Sequence, residues 1–187
     1  ALNGSLTGVF LGFAGSEFAG LLAASPAGGS VYAATGSTSS IAAGRLSYVL
    51  GLHGPCVTYD TACSSSLVAL HQARMDVANG IVDRAIVSGV SLTIDPKKNG
   101  TFNAFTMLSP DGRCYTFDTR ANGYCRREGI VTVIIESAKV RPGGICQLLG
   151  TSVNSDGYKE KGITFPSGVD QAENARCAFR SSGVDPS

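Results

Sequence analysis

Apolar residues along this chain recur in two alternating rhythms. Residues 7–13 (TGVFLGF) form a β-branched and aromatic run ended by Gly12 and Gly15, which predicts a buried strand. Phe18, Leu21 and Leu22 then fall at helical spacing within residues 16–24, and 23–30 is a Gly/Pro/Ser turn region. Over residues 39–50, Ile41, Arg45 with Leu46, and Val49 repeat at helical spacing. Hydroxyl residues precede that run and Gly51 follows it, which predicts a capped helix. Residues 56–61 (CVTYDT) read as a short strand after Gly54-Pro55. Next, Leu67, Leu70, Ala73 with Arg74, Val77 and Ile81 share one helical face, with Asn79-Gly80 as the stop.

Residues 84–90 (RAIVSGV) and 128–137 (EGIVTVIIES) are predicted strands. The unbroken apolar character of the second predicts cover on both faces. Residues 146–153 are predicted as a further strand, and Ser167 with Asp170 resembles a capping box. It opens a helix with Val169, Ala172 and Phe179 on one face and Gly183 as its stop. The alternation is that of an α/β fold with sandwiched strands. Residues 92–127 interrupt it with a long, glycine-punctuated excursion of a length that is uncommon unless functional.

Composition narrows the picture. The 187 residues fit one compact domain, and 15 Lys+Arg against 14 Asp+Glu leave a net charge of +1. Charged residues are only 16%, against about 25% in ordinary globular chains, which excludes a disordered chain, a basic nucleic-acid binder and an acidic tail. So low a share also predicts that much of the surface meets a partner subunit or further chain. No apolar run approaches the roughly 20 residues of a membrane span, and the first ten residues carry no signal-peptide pattern. Six cysteines without a Cys-x-x-Cys, and two histidines, predict reduced thiols, a cytoplasmic setting and no structural zinc. Asn3 and Asn99 stand in glycosylation sequons that read as Asn-Gly turns. Hydrolase elbows, dinucleotide fingerprints and Walker loops are missing. Arg126-Arg127 and Lys159/Lys161 read as solvated charge, or alternatively as a contact for an acidic carrier protein.

Chemistry concentrates in Asp60-Thr61-Ala62-Cys63-Ser64-Ser65-Ser66, which joins a predicted strand directly to a predicted helix. A helix start gathers unpaired N–H groups and partial positive charge, a setting that favours a thiolate and can hold an oxyanion. Small neighbours leave room for a substrate chain to reach the sulfur. The competing reading is a buried small hydrophobe between strand and helix.

The segment DTACSSSLVALHQA (60–73) resembles the nucleophile segment of β-ketoacyl synthase (ketosynthase) domains in modular type I polyketide synthases. Further matching blocks are Thr35-Gly36, AGRLSYVLGLHGP (43–55), MLSPDGRC (107–114), FDTRANGY (117–124), REG (127–129), NSDG (154–157) and ITFPSG (163–168). Together they run across nearly the whole chain. The resemblance implies a thiolase-like fold layered α-β-α-β-α, with residues 1–141 as the N-terminal half lacking its start and 142–187 as the beginning of the C-terminal half. It implies a homodimeric acyltransferase of polyketide and fatty-acid-like chain elongation. An acyl group passes from the phosphopantetheine of an acyl carrier protein onto a cysteine; a malonyl-type thioester is decarboxylated and joined to it by Claisen condensation. No metal and no bound redox cofactor are implied.

Carried onto this sequence, Cys63 matches the nucleophile, Phe102 falls where the family lines its acyl pocket, and Thr164 falls in the loop bordering the phosphopantetheine tunnel. The family's two catalytic histidines belong to His-Gly-Thr-Gly-Thr and Asn-Ile-Gly-His blocks that have no counterpart among these residues. His53 and His71 match structural positions and do not replace them. The chain thus reads as an internal fragment, inactive in condensation by itself. Asn122, Cys125, Arg127 and Tyr59 depart from the family pattern, and a bulky Arg127 beside Gly129 raises a packing question. A non-condensing thiolase-fold relative, a cysteine acyltransferase or hydrolase, and an inactive fragment remain the alternatives.

Overall fold

In β1 (Thr7–Gly12) every residue is buried, as its β-branched and aromatic sequence predicts. The computed structural model describes residues 2–185; the outer ends of the two predicted regions, residue 1 and residues 186–187, lie outside the described residues. On one side β1 pairs in parallel with β2 (Cys56–Tyr59), Val9 opposite Cys56. On the other it pairs in parallel with β3 (Arg84–Ser91), Thr7 opposite Arg84. The sheet closes with β4 (Gly129–Glu136), antiparallel to β3, giving the order β2-β1-β3-β4. The end of that last pairing is tied by Arg84 Nε to Glu136 Oε1 at 3.0 Å.

Successive side chains of β1 serve opposite faces of the sheet. Phe10 packs with Val82, Ala85, Val87 and the alanines Ala69 and Ala73 of α4 (Ser65–Ala78), forming one core. Val9, Leu11 and Ile86 pack with Ala43 of α3 (Ser39–Leu50) and Leu52, forming the other. The result is one sheet between two helical layers. Around it lie α1 (Glu17–Ala23), α2 (Ala33–Ser37), α5 (Pro96–Ala104) and α6 (Gly168–Ser182). No helix among the described residues is long and apolar enough to cross a membrane.

Four local readings change. Of the predicted α4 face, Ala73 is buried and Leu70 and Val77 pack against the core, but Leu67 is 68% exposed and Ser65, Ala69 and Asp76 are buried with Ala73 instead. Small residues win because the helix lies too close to the sheet for large ones: a Cβ on Gly12 would stand 2.4 Å from the Ser66 backbone, and one on Gly89 2.8 Å from Ser66 Cβ. The apolar strand β4 is a sheet edge, with Ile130 66% and Ile134 62% exposed, so the expected cover on both faces is not supplied by the described residues. Residues 146–153 form no strand; their backbone and side chains bond to α4 and α6 instead of to a strand. Arg74 of α4 donates to the Leu149 carbonyl at 2.8 Å, His71 Nδ1 bonds Thr151 Oγ1 at 2.8 Å, and the Thr151 amide donates to Ser181 Oγ of α6 at 3.2 Å. Helix α6 keeps Val169 and Phe179 exposed.

Its cap is half as predicted. Ser167 Oγ accepts from the Asp170 amide at 3.2 Å, but the Ser167 amide donates to Asp156 Oδ2 (2.9 Å) rather than to Asp170. Asp156 also holds Lys159 at 2.6 Å, so that lysine is a paired side chain and not solvated charge.

Candidate functional site

The strand-to-helix junction after β2 is tightly self-bonded. Asp60 Oδ1 accepts from the Ala62 amide at 3.1 Å, and Ala62 takes the left-handed φ of 55°. Such a conformation is costly for a residue with a side chain and persists where its surroundings enforce it. Here Ser65 Oγ donates to the Ala62 carbonyl at 2.6 Å and accepts from the Thr61 amide at 3.0 Å. The turn Ala62–Ser64 delivers Cys63 just ahead of α4. Ser64 directs its hydroxyl to the Thr61 carbonyl (2.9 Å), so it does not cap the amides that open the helix. The Cys63 thiol is free and exposed. The competing picture of a buried structural cysteine does not hold.

Cys63 opens into a cleft of about 810 Å³ that also meets Phe13, Leu67, Phe102, Met107, Tyr124 and Val133. That volume lies in the usual range for small-molecule sites. Phe102 comes from α5, inside the long excursion, and its ring meets Tyr124 edge-on with centroids 6.5 Å apart. Burial pushes the Tyr124 hydroxyl above its ordinary pKa, the nearby Cys63 adds to this, and Arg126 opposes it. Thr164 is an exposed residue on a turn and is not among the cleft's lining residues.

One buried ion pair builds the cleft's wall. Arg126, with a side chain 14% exposed, pairs with Glu17, 4% exposed, and its guanidinium lies 5.2 Å from the Phe102 ring centroid. It also donates to Asn99 Oδ1 at 2.6 Å. Glu17 Oε2 accepts the amides of Ile94 (2.8 Å) and Asp95 (2.7 Å). Arg126 is therefore not the solvated charge predicted. Sequence reasoning missed Glu17, Tyr124 and Arg126 as cleft residues; the FDTRANGY block carried Tyr124, but nothing linear ties Glu17 to a residue more than a hundred positions later.

Burial raises the Glu17 pKa, but the Asp95 amide, Arg126 and the Ile94 amide overcome it and hold the carboxyl at about 2, against an ordinary 4.5. The unfolded chain therefore binds the extra proton between those values. The stability this group contributes is complete above pH 4.5 and is lost as pH falls toward 2. Thermal unfolding followed by circular dichroism is expected to show Tm falling across that acid window, and Glu17→Gln to flatten the fall.

The departures find places. Asn122 accepts from Ser109 Oγ (2.7 Å) and donates to Asp111 Oδ2 (2.9 Å), a donor role that an aspartate lacks. Arg127 lies exposed at the cleft rim, which removes the packing question, and Tyr59 packs against the α4 core. Among the described residues, no group of three or more His, Cys, Asp or Glu is placed to hold a metal.

The family model described as "Beta-ketoacyl synthase, N-terminal domain" matches residues 1–140. The chain is 41% identical to the mycocerosic acid synthase-like polyketide synthase of Mycolicibacterium smegmatis, covering 99% of this chain and 9% of that protein. It is 37% identical to the fatty acid synthase of Anser anser anser, covering 99% of this chain and 53% of that one. Among solved structures, the ketosynthase from module 6 of the bacillaene synthase from Bacillus subtilis 168 superposes with a TM-score of 0.86 at 36% identity, covering 99% of this chain and 32% of that chain. The chain thus spans about a tenth of the first curated relatives and a third of that ketosynthase.

Proposed function

The chain belongs to the β-ketoacyl synthase family, and from that premise we propose that it carries the acyl-loading nucleophile of a condensing enzyme in polyketide or fatty-acid-like chain elongation. The observation that carries the reading is the free, exposed thiol of Cys63 at the start of α4, opening into an apolar cleft. The thiolate attacks the thioester carbonyl of an acyl group on a carrier protein's phosphopantetheine. Amides at the helix start stabilise the oxyanion, and the phosphopantetheine thiol leaves with the proton. Phe102 and Tyr124 receive the acyl chain. Thr164 is proposed, from the resemblance alone, for the phosphopantetheine tunnel.

Residues 1–141 read as the N-terminal half of the domain and 142–187 as the start of the second; the family model's end at residue 140 supports the division. Decarboxylation of a malonyl-type thioester and Claisen condensation complete the reaction, within a cytoplasmic homodimer that needs no bound cofactor. The enolate step calls for a donor that this chain's histidines do not provide. His71 is bonded to Thr151, and neither His71 nor His53 lines the cleft. The isolated chain accordingly loads acyl groups and does not condense them.

The test supplies acyl-carrier and malonyl-carrier thioesters to the protein that carries this sequence and analyses the products. A β-ketoacyl thioester two carbons longer is expected. Release of free acid, with no carbon–carbon bond formed, would assign the cysteine to a hydrolase instead.

A further inference from the structure

Outside the nucleophile, two of the chain's six cysteines meet. Cys114 and Cys125 belong to opposite ends of one loop in the long excursion between α5 and β4. The loop is pinned at its base: the Ser109 amide donates to the Tyr124 carbonyl and the Tyr124 amide to the Met107 carbonyl, both at 3.0 Å. That pairing turns the chain back so that the Cys125 amide donates to Cys114 Sγ at 3.3 Å. Both thiols are free, Cys114 exposed and Cys125 half-buried at the cleft that holds Cys63. The Cys125 position is also one at which this sequence departs from the family pattern.

We propose that Cys114 and Cys125 form a reversible disulfide site, closed by a peroxide, in the loop that carries Tyr124 and Arg126 to the cleft. The exposed Cys114 thiolate attacks hydrogen peroxide, taking one oxygen as a sulfenic acid and releasing hydroxide, which takes up a proton to become water. The Cys125 sulfur then displaces that oxygen as a second water, its proton leaving with it, and the sulfur–sulfur bond forms. Two thiols are oxidised and one peroxide is reduced to two waters. The order follows from the environments: burial first, and then the adjoining Cys114, push the Cys125 thiol up, with Arg127 opposing, so Cys125 is the resolving partner. A dithiol reductant reverses the bond by exchange.

Arg120 separates the two cysteines and the tryptic peptides CYTFDTR (114–120) and ANGYCR (121–126) carry one each. The chain is treated with hydrogen peroxide, the remaining thiols are alkylated, and it is digested without reductant. The expected product is a single species joining those two peptides, two hydrogens lighter than their sum and separated by dithiothreitol. In Cys125→Val that species is absent and a sulfenic acid accumulates on Cys114, trapped by dimedone. Recovery of both peptides singly alkylated after peroxide, or Cys114 joined to another cysteine while Cys125 is alkylated, would overturn the proposal. Neither readout depends on acyl loading at Cys63.

Discussion

Cys63→Ala is expected to abolish covalent acyl loading of this chain while leaving its fold intact. The loss is expected because Cys63 carries the thiol of the junction, Ser64 and Ser65 have their hydroxyls committed to backbone partners, and Cys125, which also lines the cleft, has a thiol pushed up by burial. Hydroxyls with no adjacent general base are poor nucleophiles at neutral pH. The fold is spared because the Cys63 thiol is exposed and packs in neither core. Substitutions of that kind usually alter stability by no more than about 0.5 kcal/mol. Intact mass after incubation with an acyl thioester, paired with a urea unfolding curve, separates the two effects. Loading that persists in the alanine variant would remove the nucleophile from the proposal.

Gly12→Ala is expected to cost about 3 kcal/mol or more, the upper end for overpacking, and to displace the start of α4. The added carbon would stand 2.4 Å from both Cα and N of Ser66 and 2.6 Å from the Ser65 carbonyl carbon. All of these are backbone atoms, so no side chain can swing aside. The helix must lift from β1, taking Cys63 and the α4 amides with it. Against a total stability of roughly 5–15 kcal/mol the urea midpoint should fall visibly. Acyl loading should fall with it even in the folded fraction. An unchanged midpoint would mean that α4 is not seated on β1 as described.

The sheet strands and their helices were largely legible because burial on β1 and β3 leaves a plain apolar signature, and because Gly51 and Gly183 stop helices at the expected points. The strand-to-helix junction that presents Cys63 was legible because strand, small residues and helix start are contiguous in sequence. What escaped had physical causes. The α4 face was legible at Leu70, Ala73 and Val77, but Leu67 is exposed and Ala69 buried, because close approach of the helix start to the sheet favours small residues there. Strand β4 was read as sandwiched because its apolar run does not say where in a sheet it will sit. Residues 146–153 have strand-like composition, but the folded chain bonds them to Arg74 of α4 and Ser181 of α6, partners that composition does not reveal. The wall of the cleft depends on Glu17 meeting Arg126, a pairing that only the folded chain creates.

Peptide-resolved mass spectrometry reads which sulfur accepts the acyl group. The chain is incubated with an acyl-carrier thioester, digested, and every cysteine peptide is weighed. A single acyl increment is expected on the peptide holding Cys63, with the five other cysteines unmodified. An increment on any other peptide, with Cys63 left free, would move acyl loading to a different residue and overturn the assignment.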